Sequence, residues 1–99
     1  MSSGGFHARQ LTVVGLGLMG GSMALALKDY AEKVVGVDLD ETTRQFALDH
    51  GIVNEATDDL KNGVKDADVV ILCAPVRALI SMLRNRIGSY LRSNTLLID

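Results

Sequence analysis

The chain has 99 residues, of which 47% are hydrophobic, with a formal net charge of −2 and one cysteine. That length gives one domain or one complete lobe of something larger, and the weakly acidic balance excludes the basic footprint that nucleic acid or an anionic membrane calls for. A lone cysteine excludes an internal disulfide, and no apolar run approaches the ~20 residues of a membrane span. With no basic-then-apolar export signal at the start, the expectation is a cytoplasmic protein.

Residues 1–9 read as a flexible leader. Gln10 to Val14 is a short apolar run ending at a glycine, the pattern of a buried strand. Leu18 to Lys28, rich in Ala, Leu and Met, predicts a helix packed on that strand. Val34 to Val37 predicts a second buried strand, closing on Asp38. Glu41 to His50 predicts a second helix, with Asp40 as its N-cap and Gly51 just past its end. A short third strand is expected within 52–57, then a turn or two of helix over Asp58 to Val64. Asp68 to Cys73 is the clearest strand, stopped by Pro75. Val76 to Tyr90 places Leu79, Ile80, Leu83 and Ile87 on one helical face, and Thr95 to Ile98 predicts a last strand. Strands alternating with helices at this spacing give right-handed crossovers and a parallel sheet. The expected fold is α/β: a Rossmann-like doubly wound sheet of order 3-2-1-4-5 in three αβα layers, over residues 10–99.

Between the first strand and the first helix stand Gly15, Gly17 and Gly20 in the spacing G-x-G-x-x-G. The spacing alone is weak, because a Gly-rich turn often does no more than join a strand to a helix. Here it follows a predicted strand, opens a predicted helix, and is answered by Asp38 about 20 residues further on, which is the context of a dinucleotide site. Gly15 would allow the tight turn and Gly17 would admit a pyrophosphate to the main chain. Gly20 would bring the helix close to the strand. The N–H groups near Leu18 and Met19 would face the phosphates. Asp38 would accept hydrogen bonds from the adenine ribose and repel a 2′-phosphate, which favours NAD over NADP, although a strand-end aspartate is also an ordinary solvated residue. Arg44, one turn into the second helix, has a 2′-phosphate within reach in principle but reads as a solvated surface arginine. Ala74, Pro75 and Val76 at the end of the fourth strand would form an apolar wall beside the cofactor. Arg77 reads as an exposed helix-start residue and Cys73 as a small buried hydrophobe. Neither histidine is placed for acid–base work: His7 lies ahead of the first strand, and His50 falls at the end of the second helix, near its C-terminal dipole. No catalytic residue and no metal-ligand spacing is assigned.

The segments "VVGLGLMGGSMALAL", "VVGVDLD", "ALDHGIVNEATDDL" and "ADVVILCAPV" together make residues 10–99 resemble the prephenate/arogenate dehydrogenase family. The resemblance implies NAD(P)-dependent oxidative decarboxylation of prephenate or arogenate in tyrosine biosynthesis. By motif it sets Gly15, Gly17, Leu18, Met19, Asp38, Ala74, Pro75 and Val76 around the cofactor. Members of that family continue into a sixth strand and a helical C-terminal domain, which carries a catalytic histidine and forms a homodimer. The expectation is that these 99 residues are the N-terminal part of such an enzyme and are inactive alone. Two other readings remain open here. The β-hydroxyacid dehydrogenases share G-L-G-x-M-G-x-x-M, with Met23 and Ala24 fitting and Ala26 departing from it. A non-catalytic NAD-sensing module would carry the same glycines.

Overall fold

The computed structural model describes residues 8–73, 90–91 and 95–98. The expected helix over 76–90 lies outside them, apart from Tyr90, as do His7, Arg77 and the Ala74–Pro75–Val76 wall. Five strands are described: β1 (Ala8–Val14), β2 (Ala31–Val37), β3 (Glu55–Thr57), β4 (Val69–Leu72) and β5 (Leu96–Ile98). They form one sheet of order β3-β2-β1-β4-β5, parallel throughout. This is the expected Rossmann-like sheet, with β1 at its centre and Thr12 paired to Val35 on one side and Val70 on the other.

The central strands read as continuous apolar runs because both of their faces are covered. Leu11, Val13, Val34, Val69 and Ile71 point to one face, where they meet Ala24 of α1 (Leu18–Leu27) and Ala47 of α2 (Glu41–Asp49). Val14, Val37, Val70 and Leu72 point to the other and pack with Leu60 and Val64 of α3 (Leu60–Val64). Helices on both faces make the three layers.

Several boundaries shift for identifiable reasons. β1 starts at Ala8 rather than Gln10, because the Asp68 carboxylate accepts the N–H groups of Arg9 (2.7 Å) and Gln10 (3.2 Å) and holds the strand's first residues to β4. β2 starts at Ala31 rather than Val34, and its polar outer part is fastened by a 2.9 Å ion pair between Lys33 and Glu55. β3 is shorter than the 52–57 window. The N–H groups of Ile52 and Val53 turn back to the Ala47 carbonyl, closing α2, and so cannot pair with β2. Asn54 bridges the gap: its Oδ1 accepts from Val34 N–H at 2.7 Å and its own N–H donates to Val34 O at 2.8 Å.

The expected ends of α2 are present. Asp40 Oδ2 accepts from Thr43 N–H at 2.9 Å, and Gly51 takes φ +67°, the left-handed conformation that glycine adopts without a Cβ penalty. α1 ends at Leu27 and runs on into a 3-10 turn over Lys28–Tyr30. On the opposite face, α3 approaches the sheet closely enough that a Cβ on Gly63 would overlap the Val37 side chain. The Gly63 carbonyl accepts from the fully buried Thr12 hydroxyl at 2.6 Å and from the Gln10 amide at 3.3 Å. A buried hydroxyl without a partner would be costly; here the partner ties α3 to the central strand.

Candidate functional site

β1, β2 and β4 all end at one edge of the sheet, and the chain leaves β1 there through Gly15. Gly15 has φ +93°, a conformation that side chains rarely adopt, and its N–H donates to Val37 O at 2.7 Å. The turn therefore stays against the end of β2 while it redirects the chain into α1. A Cβ on Gly20 would overlap the Gly15 carbonyl oxygen and come within 3.4 Å of Cys73 Cβ. Gly20 thus lets the first turn of α1 rest on the loop it grew from.

Gly17 differs: a Cβ there would meet nothing within 4 Å. It is the N-cap of α1, has ordinary extended geometry (φ −61°, ψ −165°), and no side chain caps the helix. The first bond of the helix runs from Gly21 N–H to Gly17 O. The N–H groups of Leu18 and Met19 have no acceptor among the described residues, while both side chains are exposed. No acidic residue lies in this first turn. Free donors, the positive end of the helix dipole and open space above Gly17 suit an anion such as a pyrophosphate.

Asp38 follows β2 and meets this loop. Its Oδ2 accepts from Leu16 N–H at 2.8 Å, and its Oδ1 accepts from Asp40 N–H at 2.9 Å. A carboxylate has about four acceptor sites, so about two remain for ribose hydroxyls. Arg44 is half-buried rather than solvated, because its Nη1 donates to the Asp38 carbonyl at 2.7 Å. The sequence pattern carried no sign of these bonds: Leu16 lies 22 positions from Asp38.

The structure thus brings together Gly15, Gly17, Leu18, Met19, Gly20 and Asp38. Cys73 is half-buried beside Gly20, and burial raises its thiol pKa, which disfavours the thiolate. Asp40 caps α2. Its carboxyl is held below the usual carboxylate range, first by the Thr43 hydroxyl, then by the Thr43 N–H, with Arg44 adding to the effect. α2 runs back from the carboxyl edge, so His50 lies at the amino edge. There its ring stacks on Phe46 (3.9 Å between centroids) with Nδ1 2.9 Å from Phe46 O. A cleft of about 520 Å³ runs between α1 and α2 past Leu16, Leu25, Phe46 and Ile52. Its lining is mainly apolar and does not include Asp38, and at one end it reaches Gly17 and Leu18 at the N-terminus of α1. Among the described residues no three of His, Cys, Asp and Glu cluster as metal ligands would, and no helix is long and apolar enough to cross a membrane.

Comparison with known proteins agrees with this geometry. The prephenate dehydrogenase of Bacillus subtilis (strain 168) is 33% identical over 91 residues, which is 90% of this chain and 24% of that protein. The cyclohexadienyl dehydrogenase of Zymomonas mobilis is 38% identical over 73 residues, 72% of this chain and 25% of that protein. The chain therefore spans about a quarter of the length of these relatives. The crystal structure of prephenate dehydrogenase from A. aeolicus, in complex with hydroxyphenyl propionate and NAD+, superposes with a TM-score of 0.79 at 26% identity. It covers 97% of this chain and 34% of that one. The model of the family "Prephenate dehydrogenase, nucleotide-binding domain" matches residues 23–99. With most of its length inside that match and the glycine turn just ahead of it, the chain belongs to the prephenate dehydrogenase nucleotide-binding domain family.

Proposed function

We propose that this chain is the NAD(H)-binding part of a dehydrogenase that oxidatively decarboxylates prephenate or arogenate. One observation carries the reading: the uncapped N-terminus of α1 and the Asp38 carboxylate converge on a single glycine turn at the carboxyl edge of the sheet. The α1 N–H groups bind the pyrophosphate, with Gly17 leaving room for it. Asp38 takes the adenine ribose and disfavours the 2′-phosphate of NADP(H) by like charge. On the sequence pattern, Ala74, Pro75 and Val76 would form the apolar wall beside the cofactor ribose. The bound dinucleotide supplies the hydride acceptor; this chain's residues bind and orient it. The residue that handles the substrate's proton, and the homodimer contact, belong to the helical domain of a whole cytoplasmic enzyme.

Calorimetric titration with NAD+ and NADP+ tests this. NAD+ binds tighter than NADP+, and Asp38→Ala weakens NAD+ binding at least tenfold in a folded protein. A folded chain that binds no NAD+, or an Asp38→Ala variant that binds it as well as the parent, overturns the reading.

A further inference from the structure

The cleft between α1 and α2 gathers apolar surface that the dinucleotide reading leaves unused. Leu16 and Ala47 in its lining are buried, whereas Leu25 of α1 and Phe46 of α2 stay 51% and 56% exposed and Leu18 93%. Exposed apolar side chains gathered around a concavity mark a binding site rather than ordinary surface scatter. Along α1 the lining runs from Leu18 to Leu25, about 10 Å at the helical rise. That length, with a volume of about 520 Å³, suits a small molecule and not a partner helix, which is itself about 10–12 Å across.

The two ends of the cleft differ in chemistry. Among the described residues no charged side chain lines it. The Ser22 hydroxyl already donates to the Leu18 carbonyl at 2.9 Å, and that of Thr43 to the Asp40 carboxylate. Polarity is concentrated where Gly17 and Leu18 open α1. There no side chain caps the helix, no acidic residue lies in its first turn, and the Leu18 N–H has no acceptor among the described residues. An occupant matched to both ends has an uncharged apolar body and one anionic head.

We propose that this cleft is a second ligand site, for a small amphipathic anion: an aliphatic chain lies between Leu25 and Phe46, and its carboxylate or phosphate head meets the start of α1. In the dinucleotide reading above, on which this step rests, the same helix terminus receives the pyrophosphate, so the amphiphile and NAD+ exclude each other. Cofactor occupancy then answers to the amphiphile concentration.

The test is calorimetric titration with decanoate, kept below its micelle-forming concentration, against decanol and acetate as body-only and head-only probes. Decanoate binds one to one and at least tenfold tighter than either, and it raises the apparent Kd of NAD+ in proportion to its concentration. Leu25→Gln weakens decanoate at least fivefold and leaves NAD+ affinity within twofold. Equal binding of decanoate and decanol, decanoate binding without effect on NAD+, or an unchanged decanoate affinity in folded Leu25→Gln overturns the inference. Should that variant fold poorly, the parent chain still decides: from hexanoate to octanoate to decanoate, each added pair of methylenes raises affinity roughly tenfold. A flat series overturns the site. A parent that binds decanoate but no NAD+ is a different result: it removes the cofactor reading and the exclusion that rests on it.

Discussion

Gly20→Ala is the sharpest probe of how the site is built. The added methyl meets the Gly15 carbonyl oxygen, which is main chain and sits in a turn fixed by φ +93° and by its bond to Val37. It cannot move aside by changing rotamer, so α1 must lift from β1. Overpacking costs about 1–3 kcal/mol, and an immovable obstacle puts this case near 3. Alanine's better helix propensity offsets about 1. The net loss is about 2 kcal/mol, roughly 30-fold in the folding equilibrium and on the order of 8–16 °C in Tm for a domain of this size. Urea and thermal unfolding followed by circular dichroism measure it. A Gly20→Ala protein melting within about 2 °C of the parent would refute the close approach of helix and turn.

Gly17→Val should leave Tm within a few degrees of the parent, because its Cβ points into open space, yet abolish NAD+ binding in a fluorescence titration. Normal binding would reduce the glycine turn to a connection. Thr12→Val keeps the shape but removes the 2.6 Å bond to Gly63 O, so it should cost about 1–2 kcal/mol in urea unfolding. Asp40→Ala tests a pH dependence of known sign. The folded-state pKa is lowered from 3.8, so the carboxylate stabilises the fold above that value, and its contribution disappears as pH falls through the lower folded pKa. The Tm gap between parent and variant should be widest near pH 7 and shrink as pH falls below 3.8; a gap that stays constant as the pH is lowered contradicts the assignment. Finally, His50 lies at the amino edge, so mixing this chain with NAD+ and prephenate or arogenate should give no reduced cofactor. Turnover above a protein-free blank would make His50→Ala the next variant to assay.

The parallel sheet and the glycine turn were legible because their signals are local. Continuous aliphatic runs mark strands covered on both faces, and a glycine spacing between strand and helix marks the phosphate turn. Asp40 and Gly51 bracketed α2 for the same reason. Contacts that join distant segments left no such mark. Gly63 reads as an ordinary helix glycine until Thr12, 51 positions away, is found bonded to its carbonyl. Arg44 reads as a surface residue until the Asp38 carbonyl appears beneath its guanidinium. Ile52 and Val53 have strand-forming side chains, but their N–H groups are already committed to Ala47, which propensity does not register.

The two bonds that Asp38 makes to Leu16 and Asp40 need no cofactor. The turn is thus braced in its phosphate-receiving shape before any dinucleotide arrives, and little loop entropy has to be lost on association. Encounter rather than rearrangement then sets the on-rate, so a stopped-flow trace should be a single exponential whose rate rises linearly with NAD+ concentration. The same brace shields the Leu16 amide, whose hydrogen exchange should be slow in the ligand-free chain while the neighbouring Leu18 and Met19 amides exchange freely until phosphate covers them.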